Sequence, residues 1–423
     1  MSERLKNKKL LVLGSTKLIA SIVQKAKDMG VFVGVTDSRP LEQAPAKNIA
    51  DAYYFIDFSH EDEVVELIKK EQYDGLLTGF TDSYMEYYLR ICQKAGLPCC
   101  GNNNSIQIAI DKSAFKKACK ENNVPVIPGI TVSCYDEALD FAKKIGYPLM
   151  LKPIDNSGSR GVIKCEGEGE LKSAYEYALS FSKAKMVIVE KYLDCDNMAV
   201  SYFAADGEIR ISTTDDRKVY VSEESGSSVS SYSVYPSKYT ERYIKEVNDN
   251  VISMLKNNGF DNGMISLQAF VDEHSFYFCE MCYRTSGGQH YILTKDQNDI
   301  DQLALLIEYA VTGNCRKSWD CEKETPFFKE NIAMLRVIGT PGKIIKRLEG
   351  FEEIKSDKSV ITAYSSKNIG DEIGKSGTTA QVVGNVLYRF SKDEDPHAAA
   401  DKIISRLSVK DENGESIIWY SID

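Results

Sequence analysis

No apolar run in the 423-residue sequence approaches the eighteen or so residues that a membrane span needs. The opening, Met1-Ser-Glu-Arg-Leu-Lys-Asn-Lys-Lys9, leads straight into a short strand without a signal-peptide core. Positive charge is not in excess either. Lys plus Arg number 52 against 62 Asp plus Glu, a net charge of −10. Nucleic-acid affinity depends on neutralising phosphates, so this balance argues against a nucleic-acid binder but leaves room for a local basic pocket. Internal repeats and low-complexity tracts are missing, and so is the composition of a disordered or fibrous chain: 43% of residues are hydrophobic and 27% charged. The eleven cysteines are odd in number and follow no framework. They read as free thiols in a reducing cytoplasm.

Two familiar phosphate motifs are also missing. Lys9-Leu-Leu-Val-Leu-Gly14 ends in a glycine, with Asp37 further on, where a dinucleotide fold places its glycine fingerprint. Positions 16 and 19 are Thr and Ile, so the fingerprint is incomplete, and a lone glycine after a strand needs only to permit a tight turn. No Gly-x4-Gly-Lys-Ser/Thr loop opens a helix.

What is present begins with strand–helix–strand units. Lys9–Gly14, a helix through Ala26 to Gly30, and Val31–Asp37 form the first. Ala52–Ile56, a helix Glu61–Glu71, Gly75–Thr78 and a helix Tyr84–Ala95 continue it. The expected result is an open, doubly wound parallel sheet over the first hundred residues. After helices at Lys112–Asn123 and Asp136–Gly146 the pattern changes to successive short strands: 147–153, 161–165, 186–192, 198–204 and 208–213. These predict an antiparallel α+β region. The Ser/Gly-rich stretch Glu223–Tyr235 reads as a mobile loop. Lys317–Lys329 reads as a linker to a small β-rich terminal region with a helix near Ala398–Leu407.

Three segments carry chemistry. In Pro148-Leu-Met-Leu-Lys152-Pro-Ile-Asp-Asn-Ser157-Gly158-Ser159-Arg-Gly161-Val-Ile a strand ends in lysine, a loop of small residues follows, and a second strand begins. Small residues let backbone amides approach an anion closely. The bland reading is a flexible hairpin with a surface lysine. In Met186-Val-Ile-Val-Glu190-Lys191-Tyr-Leu193 an apolar strand ends in a carboxylate and a lysine, and Asp194-Cys-Asp196 follows. Such a strand can run along an adenine; equally, it can simply turn polar at the surface. The third segment is a hairpin, Ile265–Val271 and Phe276–Arg284, around Asp272-Glu-His-Ser. Centred near His274, it sets Gln268 opposite Glu280 and Ser266 opposite Cys282. Alternation then puts Gln268, Glu280, Cys282 and Arg284 on one face, and Leu267, Ala269, Cys279 and Met281 on a core face. Oxygen ligands on a rigid strand pair suit magnesium at nucleotide phosphates. Cys279 and Cys282, on opposite faces, do not form a metal or redox pair.

This ordered set, followed by Ser286-Gly-Gly-Gln-His290, resembles the ATP-grasp superfamily, in particular the biotin-carboxylase-like branch and bacterial carboxylate–amine ligases of the carbamoyl-phosphate-synthase-like or phosphoribosylglycinamide-synthetase-like kind. The resemblance implies an N-terminal Rossmann-like domain at 1–110, a small ATP-grasp subdomain with the flap at 111–190, a large one with the metal hairpin at 191–320, and a C-terminal domain at 325–423. It implies ATP and Mg2+ as cofactors and, as catalytic residues, Arg284 on the transferring phosphoryl group and Lys152 on the phosphates. It assigns Lys112 and the 155–161 flap to phosphates, Glu190, Lys191 and Leu193 to adenine, and Asp196 to ribose. Glu280 and Gln268 are the implied metal ligands, and Arg217 and Lys218 are placed facing the γ-phosphate. The family's first metal carboxylate is Gln268 here, and its usual Asn is Cys282, a poor magnesium ligand. The implied activity is a cytoplasmic, ADP-forming ligation of a carboxylate to an amine through an acyl phosphate, by a homodimer acting on small molecules. A phosphoribosylamine–glycine ligase-like enzyme, a nucleotide sensor with a weakened metal site, and a nicotinamide oxidoreductase are the alternatives.

Overall fold

The computed structural model describes residues 3–155, 160–222, 228–391 and 393–422. Four strands near the N-terminus, β1 (Lys9–Leu13), β2 (Phe32–Thr36), β3 (Ala52–Tyr54) and β4 (Gly75–Leu77), form one parallel sheet in the order β3-β2-β1-β4. Almost every residue of β1, β2 and β4 is buried, as continuous apolar runs under helices require. The doubly wound reading holds. Gly14 ends β1 at φ +88° and lies against Tyr84, which is the tight turn expected of a lone glycine. Asp37 accepts a hydrogen bond from Ser15 Oγ at 2.8 Å and is buried in that turn.

A second sheet joins β5 (Gly129–Val132), β6 (Leu149–Pro153), β7 (Ile163–Cys165) and β8 (Val187–Lys191) in the antiparallel order β5-β8-β6-β7. Leu149, Leu151, Val187 and Val189 point into a core with the helices Tyr135–Ile145 and Glu168–Ser180. Alternation therefore turns Met150, Lys152, Ile188 and Glu190 to the opposite face.

The third sheet is the largest. It contains β9 (Asp196–Ala205), β10 (Glu208–Val221), β11 (Ser228–Tyr235), β12 (Gly263–Val271), β13 (Phe276–Cys282) and β14 (Asn331–Gly339). A short ribbon of β15 (Arg347–Glu349) and β18 (Ser408–Lys410) stands apart from it, while β16 (Val360–Ser365), β17 (Val382–Phe390) and β19 (Ile418–Trp419) join it. The order β13-β12-β9-β10-β11-β14-β17-β16, with β19 beside β14, makes nine strands. The last ninety residues thus extend the sheet that holds the β12–β13 hairpin.

The join is made by β11, which corrects the loop expected there. Ser228–Tyr235 pairs with β10 on one side and β14 on the other, so its backbone is satisfied by two ladders. Val229, Tyr232 and Tyr235 are buried, and their β preference outweighs the turn character of the serines between them. Residues 223–227 lie outside the described residues. The 317–329 stretch also packs more tightly than a linker. Trp319 is buried against Phe203, and Trp319 Nε1 donates to buried Glu324 at 2.9 Å.

Candidate active site

Lys152 and Glu190 meet because β6 pairs with β8 in a register that sets Met150 opposite Glu190 and Lys152 opposite Ile188. Their side chains share the face turned away from the hydrophobic core. Glu190 is 1% exposed and pairs with both Lys152 and Lys116. Lys116 lies one turn after Lys112 on the helix Lys112–Glu121, which Asp111 caps by accepting from the amides of Ser113 and Ala114. Burial alone would push the Glu190 carboxyl up. The two ammonium groups, Lys152 first, overcome this and hold it below its usual range. Burial draws Lys152 down, but Glu190 outweighs it and holds the ammonium up. Burial prevails at Lys116 and draws it down. Two lysines share one carboxylate, so the cluster keeps an excess positive charge in a buried place. That is an arrangement for phosphate oxygens. Lys116 was not among the residues picked from sequence, although its i, i+4 spacing from Lys112 was there to be read.

The flap connects β6 to β7. Ser157, Gly158 and Ser159 lie outside the described residues. Gly161 is described: it adopts φ +78°, and a Cβ there would come within 2.6 Å of Phe181. The return of the flap onto β7 therefore admits only glycine.

The hairpin register is the expected one. Gln268 faces Glu280 and Ser266 faces Cys282 across β12 and β13. Gln268 and Glu280 are half-buried and present two oxygen donors side by side. The ladder slips after Gln268, so Ala269 pairs with Phe278 and Cys279 is the extra residue of a bulge. This corrects the core-face assignment of Cys279. Its thiol donates to the carbonyl of Gln268 at 3.4 Å and is pushed up to about 12 by burial and by Glu280, with Lys152 and Glu190 also in its field. Cys279 therefore stands between the hairpin and the lysine cluster. Burial likewise pushes the Cys282 thiol up, which keeps it a neutral thiol.

Arg284 is gripped by Asp82 of the N-terminal domain, with Nε donating at 2.7 Å and Nη2 at 2.6 Å. A bidentate carboxylate fixes a guanidinium plane as one contact cannot. Asp82 holds its pKa above the ordinary value despite burial. Arg217 is held by a single contact, its Nε donating at 2.8 Å to buried Asp215. Lys218, the next residue on β10, is exposed on the other face, so only Arg217 of that pair looks into the site. Asp196 sits at an exposed rim, where Tyr239 Oη and Lys238 Nζ donate to it, each at 2.6 Å; these two hold its carboxyl below the usual range. Lys191 donates from Nζ to the carbonyl of Tyr147 at 2.9 Å, and Leu193 is half-buried in the irregular stretch between β8 and β9. Lys112 begins the helix that carries Lys116.

Residues 111–292, the span holding the lysine cluster, flap and hairpin, match the family described as carbamoyl-phosphate synthase L chain, ATP binding domain. That span is an ATP-grasp domain. The formate-dependent phosphoribosylglycinamide formyltransferase of Bacillus velezensis is 26% identical over 311 residues, covering 72% of this chain and 77% of that enzyme. The carbamoyl phosphate synthase large chain of Clostridium botulinum is 22% identical over 317 residues, 71% of this chain but only 29% of that one. Among solved structures, an L-amino acid ligase from Bacillus licheniformis superposes with a TM-score of 0.79 at 16% identity, over 96% of this chain and 99% of that one. Phosphoribosylglycinamide synthetase from Anaerococcus prevotii gives 0.75 at 19%, with the same coverage. At these identities the chain shares the fold with them. No helix among its described residues is long and apolar enough to cross a membrane.

Proposed function

We propose that this ATP-grasp protein is an ADP-forming ligase that joins a carboxylate to an amine of amino-acid type through an acyl phosphate. The observation that supports this best is the meeting of two half-sites. The Lys116–Lys152–Glu190 cluster carries excess positive charge on one sheet, and the Gln268–Glu280 oxygen pair stands on the other, bridged by Cys279. A triphosphate lying between them meets ammonium groups on one side and a hard-cation position on the other.

Glu280 and Gln268 fit magnesium: both offer oxygen, and cross-strand pairing fixes them together. When bound, the ion supplies charge neutralisation at the phosphate oxygens. The chain's own residues do the rest. Lys152 and Lys116 hold phosphate oxygens in place. Arg284, aimed by Asp82, and Arg217, aimed by Asp215, present guanidinium groups where charge develops as the carboxylate oxygen attacks the γ-phosphorus. The acyl phosphate then loses phosphate to the attacking amine. Catalysis is positioning and charge stabilisation. Water must be kept from the acyl phosphate. Small-molecule partners, a cytoplasmic setting and a homodimer belong to the same reading.

The test is nucleotide analysis during a screen of amino acids and small carboxylates. ADP with phosphate is expected. AMP with pyrophosphate contradicts the reading, and nucleotide binding without any turnover favours the sensor alternative.

A further inference from the structure

The helix Met85–Ala95 ends in a turn that brings two cysteines together. Gly96 adopts the left-handed conformation, φ +70°. Its amide donates to the carbonyl of Gln93 at 3.4 Å, and that of Leu97 donates to the carbonyl of Cys92 at 2.9 Å. This is how a glycine closes a helix, and it sends Pro98, Cys99 and Cys100 back along the last turn. Tyr88 and Cys92, four residues apart, share the helix face to which they return. The amide of Cys100 donates to Tyr88 Oη at 3.1 Å, which fixes how far the segment comes back. The same hydroxyl stands within hydrogen-bonding reach of the thiols of Cys92, Cys99 and Cys100, so one oxygen marks where they converge.

Within this group Cys92 and Cys99 form a pair. Their thiols hydrogen-bond to each other, and the amide of Gly101 donates to Cys99. Cys100 packs elsewhere: a Cβ added at Gly263, at the head of β12, would lie 3.4 Å from its sulfur. The three thiols are not a metal centre, since among the described residues no group of three or more His, Cys, Asp or Glu is placed to hold an ion. The pair is also unequal. Cys92 is 0% exposed, whereas Cys99 is half-buried. Burial pushes the Cys92 thiol up, while the hydrogen bonds from Cys92 and from the Gly101 amide hold the Cys99 thiol below its ordinary value. A reachable thiol of lowered pKa beside a sheltered second thiol is the arrangement of an attacking and a resolving cysteine. In a reducing compartment such a bond is transient and serves as a sensor.

The cysteine segment is a junction. Tyr309 Oη, on the helix Gln302–Thr312, donates to the carbonyl of Cys99 at 2.9 Å. Tyr283 Oη donates to the carbonyl of Cys100 and to that of Asn262, the latter at 2.5 Å. Tyr283 is followed directly by Arg284, the arginine that Asp82 grips. We propose that Cys92 and Cys99 form a disulfide in response to hydrogen peroxide, and that this bond regulates the site through Tyr283. The Cys99 thiolate attacks one peroxide oxygen and the O–O bond breaks. Cys99 becomes a sulfenic acid, and the hydroxide released takes up the thiol's proton as water. The Cys92 sulfur then attacks the Cys99 sulfur, the S–O bond breaks, and the oxygen leaves with the Cys92 proton as a second water. Two thiols are oxidised and one peroxide is reduced. A covalent bond draws the sulfurs closer than a hydrogen bond between thiols does, so Cys99 moves relative to Cys92 and the carbonyls held by Tyr309 and Tyr283 move with it. The disulfide itself is independent of the ligase reading; its effect on turnover rests on that reading.

The test is peptide mapping. The reduced full chain is treated with hydrogen peroxide, its remaining thiols are blocked with N-ethylmaleimide, and it is digested with trypsin without reduction. Cleavage at Arg90, Lys94 and Lys112 leaves Cys92 in the peptide 91–94, and Cys99 with Cys100 in 95–112. The two peptides are expected as one joined species, lighter than their sum by two hydrogens and separated by dithiothreitol. Cys99→Ser should abolish the joined species. Cys92→Ala should leave Cys99 as a sulfenic acid that dimedone traps. In the oxidised chain ADP release should fall about ten- to hundredfold, the effect of a small misplacement of a positioned group, and dithiothreitol should restore it. Cys99→Ser should keep its ADP release in peroxide. The proposal is overturned if the peptides stay separate, if Cys99→Ser still joins them through Cys100, or if that variant loses as much turnover to peroxide as the parent. A chain that forms the bond but never releases ADP contradicts the ligase reading and upholds the cysteine pair. One that releases ADP and forms no bond does the reverse.

Discussion

The lysine cluster and the face of the large sheet around Asp215 and His290 are both buried and both charged, yet they are built in opposite ways. At the phosphate end the protein pairs its own charges: Glu190 lies between Lys152 and Lys116. On the sheet face Arg217 is answered by Asp215, but Asp215 Oδ1 and His290 Nε2 have no hydrogen-bond partner among the described residues. A self-paired cluster holds its shape and offers only a residual charge, which suits a phosphate chain common to many reactions. An open set cannot settle alone and is specific to whatever completes it. Burial by itself does not separate a structural charge from a receptive one. The balance of donors and acceptors does.

Breaking each end should therefore have a different signature. The largest effect is expected from Glu280→Gln, which removes the carboxylate of the Gln268 pair. ADP release should fall by about a thousandfold or more, with melting temperature nearly unchanged because the side chain is half-buried. Glu190→Gln should act on stability. It strands two buried ammonium groups, at a cost of about 3–5 kcal/mol, read in a denaturant titration. If stability is kept, the self-paired picture is wrong. Lys152→Ala leaves Glu190 with Lys116, so the fold should survive while nucleotide affinity drops about ten- to hundredfold. Unchanged affinity by calorimetry would return Lys152 to a structural role.

The acid limb of stability sharpens the same contrast. His290 has its pKa lowered from 6.5 to about 4. Between those values the unfolded chain binds a proton that the folded chain does not, so stability falls as pH drops through that window, by up to about 3 kcal/mol. Glu190 is held below its usual range, so its contribution is present above the unfolded carboxylate pKa and is lost only at lower pH, as the folded value is crossed. The sheet face around His290 should loosen before the lysine cluster on acidification. His290→Gln should flatten the first slope and leave the second. The smallest effect is expected from Cys282→Asn, which exchanges a neutral thiol for an oxygen beside Glu280: a few-fold lower magnesium requirement in a titration of turnover. An unchanged requirement removes Cys282 from the ion's surroundings.

Much of this was legible before the structure. The Gln268–Glu280 and Ser266–Cys282 pairs followed from alternation around a short turn, because a local hairpin leaves little freedom in register. The bulge at Cys279 did not, since one inserted residue leaves no mark in composition. Lys116 could have been found from helical spacing. β11 was misread because its serines mimic a loop, and only partners on both sides, β10 and the distant β14, make it a strand. Arg336, Asn385 and Tyr364 were out of reach for the same reason. Their place on the same sheet face as Asp215 depends on strand pairing across more than a hundred residues of chain.

The seam at β11 has a consequence for anyone who would cut this chain. Ending it near residue 330, where a separate terminal region seemed to begin, would strip β14 from β11 and leave Ser228–Tyr235 as a bare sheet edge with buried tyrosines uncovered. Such an edge recruits other strands, so a truncated product is set to aggregate rather than to survive as a shorter enzyme. Exchange of the C-terminal region between relatives must therefore carry β11 and its partner together.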